Sequence, residues 1–108
     1  MSFADNLKQL PPVAHLSGIQ LFDAQGQPVA TLENKPGQAG SVAVYAALAA
    51  RFGTLHADAA KEGLSIYAEH TDDARQHPGK HPNIDRLLAL AEGRTGPLSV
   101  KLLMAAVA

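Results

Sequence analysis

Residues 70–85, HTDDARQHPGKHPNID, hold three of the five histidines in the chain. If the segment is helical, His70, Asp73 and His77 stand at i, i+3 and i+7 on one face, nearly opposite Leu64, Tyr67, Ala68 and Thr71. Neighbours three or four apart on a helix can reach one metal ion, so His70, Asp73 and His77 form a candidate metal site. Geometry limits it. At a rise of ~1.5 Å per residue the two histidines lie about 10 Å apart along the axis. One ion would then take one adjacent pair, with His81 folding back from the loop. A second reading treats Ile66, His70, Asp73, His77, Lys80 and His81 as an interaction surface, since Ile66 shares that outward face. The plainest reading is a solvated face with a histidine near a helix C-terminus, where positive charge is favourable.

The following His-Pro-Gly-Lys-His-Pro reads as a corner between two helices. Pro78 stops the first, because the residue before a proline avoids helical geometry. Gly79 allows the turn, and Pro82 suits the first position of the next helix. His81 or Asn83 can cap it, and Asp85 falls in its first turn.

The second candidate is NKPGQAGS, residues 34–41, at the start of a helix. Lys35, Gly37, Gly40 and Ser41 are the residue types an anion site uses: a cation, backbone that can approach closely, and free amides at the positive end of the helix dipole. The order differs from the Walker pattern, with the lysine ahead of the glycines, and differs from G-x-G-x-x-G. Pro36-Gly37 is equally a type II turn and Ser41 equally a helix cap. Nucleophilic catalysis would need Ser17, Ser41, Ser65 or Ser99 beside a histidine, but no G-x-S-x-G occurs. No catalytic set is assembled in sequence, and the reading leans away from an enzyme.

These residues depend on the elements that carry them. Ser2 with Asp5 can cap a short helix ended by Pro11-Pro12. Ile19–Phe22 and Val29–Leu32 flank a turn that Asp23 can start, with Ala24, Gln25 and Gly26 suiting a three-residue hairpin loop. SVAVYAALAARFG reads as a helix opened by Ser41 and closed by Gly53. It is apolar nearly all round and so predicted to be the central packing element. A single longer helix is predicted from about Ala57 to about Gln76, with Gly63 either breaking it or admitting a close neighbour. Another runs from Pro82 to Gly93. Leu98–Met104 alternates as a strand. The order predicts an α+β fold: an N-terminal short helix, a β-hairpin, three helices, and a C-terminal strand completing a small, mainly antiparallel three-stranded sheet packed on helices.

The 108 residues are enough for one domain, and 1–108 is read as one. Nine basic and ten acidic residues give a net charge of −1, with lysine and arginine scattered singly. Nucleic-acid binding needs a basic patch that is missing here. The chain has no cysteine, which excludes disulfides, thiol catalysis and cysteine-ligated metals. No stretch approaches the ~20 apolar residues of a membrane span, and the N-terminus lacks a secretory pattern. A cytoplasmic location is expected, with no cofactor and no membrane partner.

The segments ENKPG-x-x-GS and PGKHPNIDRLL resemble a family of small bacterial proteins of about this length, to which no activity is assigned. The resemblance spans most of the chain and implies a free-standing bacterial cytoplasmic domain. The leading expectation is a non-enzymatic protein-interaction module, with itself as a homodimer or with another protein, because a small sheet has an edge to manage. The alternatives are a small-anion or nucleotide binder through Lys35–Ser41, and a metal-binding protein through His70, Asp73 and His77.

Overall fold

The computed structural model describes residues 2–105. Its elements are α1 (Phe3–Leu7), β1 (Leu16–Phe22), β2 (Pro28–Glu33), α2 (Ala39–Phe52), α3 (Ala57–Tyr67), α4 (Glu69–Gln76), α5 (Pro82–Ala91) and β3 (Ser99–Met104). The sheet order is β2-β1-β3, antiparallel throughout. The fold is thus α+β, with the C-terminal strand completing the sheet beside β1.

The hairpin forms because Asp23 organises the turn. Its Oδ1 accepts from the amides of Gln25 and Gln27, both at 2.9 Å. Gly26 takes φ 79°, a left-handed conformation that glycine adopts without steric cost. Gly18 serves a different need. A Cβ there would run into the Leu32 carbonyl, so β1 and β2 can pair only with glycine at that position.

Ile19, Leu21 and Leu32 project from the sheet onto α2, which touches all three strands. Val42, Val44, Tyr45 and Leu48 of α2 are buried on the other side of that contact. This is the central helix its all-round apolar character predicts. α3 and α5 pack against each other behind it, and α3 also meets α2. Gly63 makes that possible: a Cβ there would lie 2.7 Å from Leu87 and 2.8 Å from Leu48.

Three local expectations fail. The predicted helix over 57–76 is two helices. The break falls at Ala68, which has φ 52° and ψ −117°, and Gly63 stays inside α3. The break frees the Leu64 carbonyl, and the buried Thr71 hydroxyl donates to it at 2.6 Å. Ser41 does not cap α2. The helix begins two residues earlier, with Gln38 at the cap position and no side-chain cap bond. Likewise neither His81 nor Asn83 caps α5 through its side chain, although Pro82 occupies the first turn as expected. No helix among the described residues is long and apolar enough to cross a membrane.

Candidate functional site

The break at Ala68 and the corner at 77–81 swing α4 so that His70 and His81 face the start of α2. There they line a cleft of about 450 Å³ between α1, β2, α2 and α5. Its apolar walls include Phe3, Leu32, Tyr67 and Ile84, and its polar groups include Ser41, His70, Lys80, His81, Asn83 and Arg86. No carboxylate lines it among the described residues. The two candidate sites that are separate in sequence, the loop before α2 and the histidine segment, are therefore neighbours on one cavity.

Asp73 stands behind the rim and holds it. His81 Nε2 donates to Asp73 Oδ2 at 2.6 Å, Lys80 Nζ lies 3.1 Å from the same oxygen, and His77 Nε2 lies 3.8 Å from Oδ1. An ionised carboxylate only accepts, so the Asp73 bond fixes the proton on Nε2 and orients the His81 ring. The hydrogen bonds from His81 and then Lys80 lower the Asp73 pKa from 3.8 to about 2, against a smaller opposing effect of burial.

The floor is built on two buried tyrosines. Tyr45 Oη donates to the Asn83 carbonyl at 2.6 Å and accepts from Arg86 Nη1 at 3.1 Å. Burial raises its pKa to about 12, with Arg86 acting the other way. Arg86 Nη1 also donates to Asn83 Oδ1 at 2.9 Å. Tyr67 Oη donates to Ser41 Oγ at 2.7 Å, and burial raises its pKa as well. Ser41 is thus tied to the cleft wall.

Arg86 is the unusual group. It is half-buried, and no carboxylate among the described residues lies within ion-pair distance of it. Its hydrogen bonds to described residues use Nη1 alone, leaving the donors on Nε and Nη2 available. Two helix starts add positive potential. Gly37, Gln38 and Ser41 at the start of α2, and Pro82 and Asn83 at the start of α5, line the same cleft, and both helices lack side-chain caps.

The other sequence candidates lie elsewhere. Lys35 is exposed and pairs with Glu33 at 2.7 Å, away from the cleft lining. Gly40 packs beneath α1, where a Cβ would meet Phe3 at 3.3 Å and Leu7 at 3.5 Å. His77 is exposed at the end of α4 and touches only the rim of the network. Ile66 is half-buried against the core, and its carbonyl accepts from Asn6, so it is not the centre of an open surface. His70 packs edge-on against Phe3, with ring centroids 5.2 Å apart. Among the described residues no group of three or more histidine or acidic side chains is placed to hold a metal ion.

Arg86, Asn83, Phe3 and Tyr67 were not singled out as site residues by sequence reasoning. One signal points at Arg86 and Asn83. Tyr45 is a lone phenol in an otherwise apolar helix, and a buried hydroxyl requires a partner.

The fold and cleft define a small α+β domain with a cationic, partly apolar cavity. Residues 3–102 match the family model described as an uncharacterized protein conserved in bacteria (DUF2322), and the chain belongs to that family. No match is found among curated proteins or among solved structures.

Proposed function

We propose that the domain binds a small organic anion, a carboxylate or phosphate joined to an apolar body, in the cleft between α2 and α5. The observation that carries this reading is Arg86: a half-buried guanidinium with no carboxylate partner among the described residues, on a cavity that carries Lys80, two histidines and no acid. Burying a charge without a counter-charge is costly, and an anionic ligand would offset that cost. Phe3, Tyr67 and Ile84 supply the apolar wall, and the volume falls within the range of ordinary small-molecule sites. The role is binding in place of turnover. The Ser41 hydroxyl is engaged by Tyr67, and burial moves that phenol's pKa still further above physiological pH, so it offers Ser41 no base.

A thermal-shift screen of inorganic phosphate, phosphate monoesters and aryl or alkyl carboxylates tests the reading. Ligand at about 100 times its Kd stabilises the native state by about 2.7 kcal/mol. That corresponds to a Tm rise on the order of 10 °C for a domain of this size. Arg86→Met should abolish the rise and Lys80→Met should reduce it, while Lys35→Ala leaves it unchanged. A rise that survives Arg86→Met, or that Lys35→Ala removes, would place the anion elsewhere.

A further inference from the structure

The sheet has two edges, and the chain treats them differently. On β2 the edge is blunted. Pro28 offers no amide, and the Glu33 N–H donates to Gln38 Oε1 at 3.2 Å. On β3 it is open along part of its length.

Which part follows from the ladder. The Ser17 carbonyl accepts from Asn34 N–H, so Ser17, Ile19 and Leu21 turn their backbone groups toward β2. Gly18, Gln20 and Phe22 turn theirs toward β3, where their partners are Leu103, Lys101 and Ser99. Val100, Leu102 and Met104 therefore point their N–H and C=O away from the sheet. Leu98 has the same parity, and it exchanges both of its bonds with Leu55 on that outer side. Among the described residues the edge is closed at Leu98 and free from Val100 to Met104. Leu102 and Met104 are also 44% and 64% exposed, although their side chains project from the helix-facing side of the sheet.

The geometry points to a second copy of this chain as the occupant, joined β3 to β3 about a two-fold axis at Leu102. That register pairs Leu102 with Leu102 and Val100 with Met104 of the partner subunit, so the three free residues bond one another and no others. Apolar side chains meet apolar side chains on the helix-facing side. Lys101 falls opposite Leu103 of the partner subunit. Centring the axis on Lys101 instead would set the two lysines against each other, which is destabilising. It would also call for the Leu98 backbone groups, which Leu55 already occupies. The result is a continuous six-stranded antiparallel sheet. The cleft adjoins β2 at the far edge, so both clefts stay open and the dimer does not depend on the ligand reading.

Five strand residues per copy make a small interface, expected to associate at micromolar concentration rather than obligately. Sedimentation equilibrium of the full chain, from micromolar to millimolar concentration, should show a monomer–dimer equilibrium. Leu102→Pro should weaken it roughly thirtyfold, since two symmetry-related hydrogen bonds are lost together. The substitution spares the β1–β3 ladder because that amide faces outward. Should the variant misfold by circular dichroism, Leu102→Lys sets two charges face to face at the axis and should weaken the dimer at least as much. Val29→Lys, at an exposed apolar site on β2, should change nothing. Hydrogen exchange gives a second readout. The amides of Val100, Leu102 and Met104 should gain protection as concentration rises, while those of Lys101 and Leu103 are protected throughout. A monomer across the whole range, or a dimer indifferent to both Leu102 variants, overturns the assignment.

Discussion

At the scale of single residues, Asp73 carries the clearest electrostatic consequence. Its folded pKa, about 2, lies below the ordinary 3.8. The ionised carboxylate therefore stabilises the fold above about pH 4 and loses that contribution as pH falls toward 2. Thermal melts between pH 7 and pH 2 should show Asp73→Asn less stable than the wild type at neutral pH, with the difference closing below about pH 4. The gap should be modest, because the side chain is 33% exposed and screened by water. A gap that stays constant down to pH 2 would show that the carboxylate's charge is not what matters. Asp73 was legible in the sequence as a partner of His77 one turn on. Its closer partners reach it across the corner: His81 was legible only as a loop residue able to fold back to the same ion, and Lys80 only as a member of the same surface, neither as a direct partner of the carboxylate. Arg86 was hidden for another reason: on α5 it looks like any charge beside an apolar stripe, and only the Tyr45 hydroxyl beneath it sets it apart.

At the scale of elements, the break at Ala68 decides whether there is a cleft at all. Nothing in LSIYAEHTDD signals it, because alanine is the best of helix formers. The cause is tertiary. Thr71 takes the carbonyl the break releases, Tyr67 turns to Ser41, and Glu69 Oε1 accepts from the Phe3 amide at 2.8 Å. These bonds hold a non-glycine residue at positive φ, at a cost of about 1–3 kcal/mol. Ala68→Gly should relieve that strain and lose about 0.5–1 kcal/mol to added chain entropy in the unfolded state. The net expectation is a gain of about 1 kcal/mol, or a Tm rise of about 4–8 °C. Chemical denaturation checks it, and a fall in the midpoint would mean that Ala68 is not strained. The hairpin and the corner were legible because Asp23-Gly26 and Pro78-Gly79 encode their own turns.

At the scale of the whole molecule, stability is unevenly spread. β1 is the middle strand, with Ile19 and Leu21 fully buried, whereas α1 has no buried residue. Native-state hydrogen exchange should find the slowest amides in β1 and α2, and α1 exchanging many-fold faster through local opening. Protection in α1 equal to that of β1 would show the domain opening only as a unit. Element order and the three-stranded sheet could be read from periodicity, which records which side of each element is apolar. The cleft could not, since six elements spread along the chain, α1, β2 and α2 to α5, each supply part of it. Periodicity is silent on which polar faces will meet.

The two tyrosines under the cleft have a spectroscopic consequence. The chain contains two tyrosines and no tryptophan. Tyr67 lines the cavity, and Tyr45 is bonded to Arg86 at its floor. With no indole in the chain, all tyrosine fluorescence therefore originates at the site. Anything that draws Arg86 away from Tyr45 should change that emission with no label attached, so the protein carries its own binding signal.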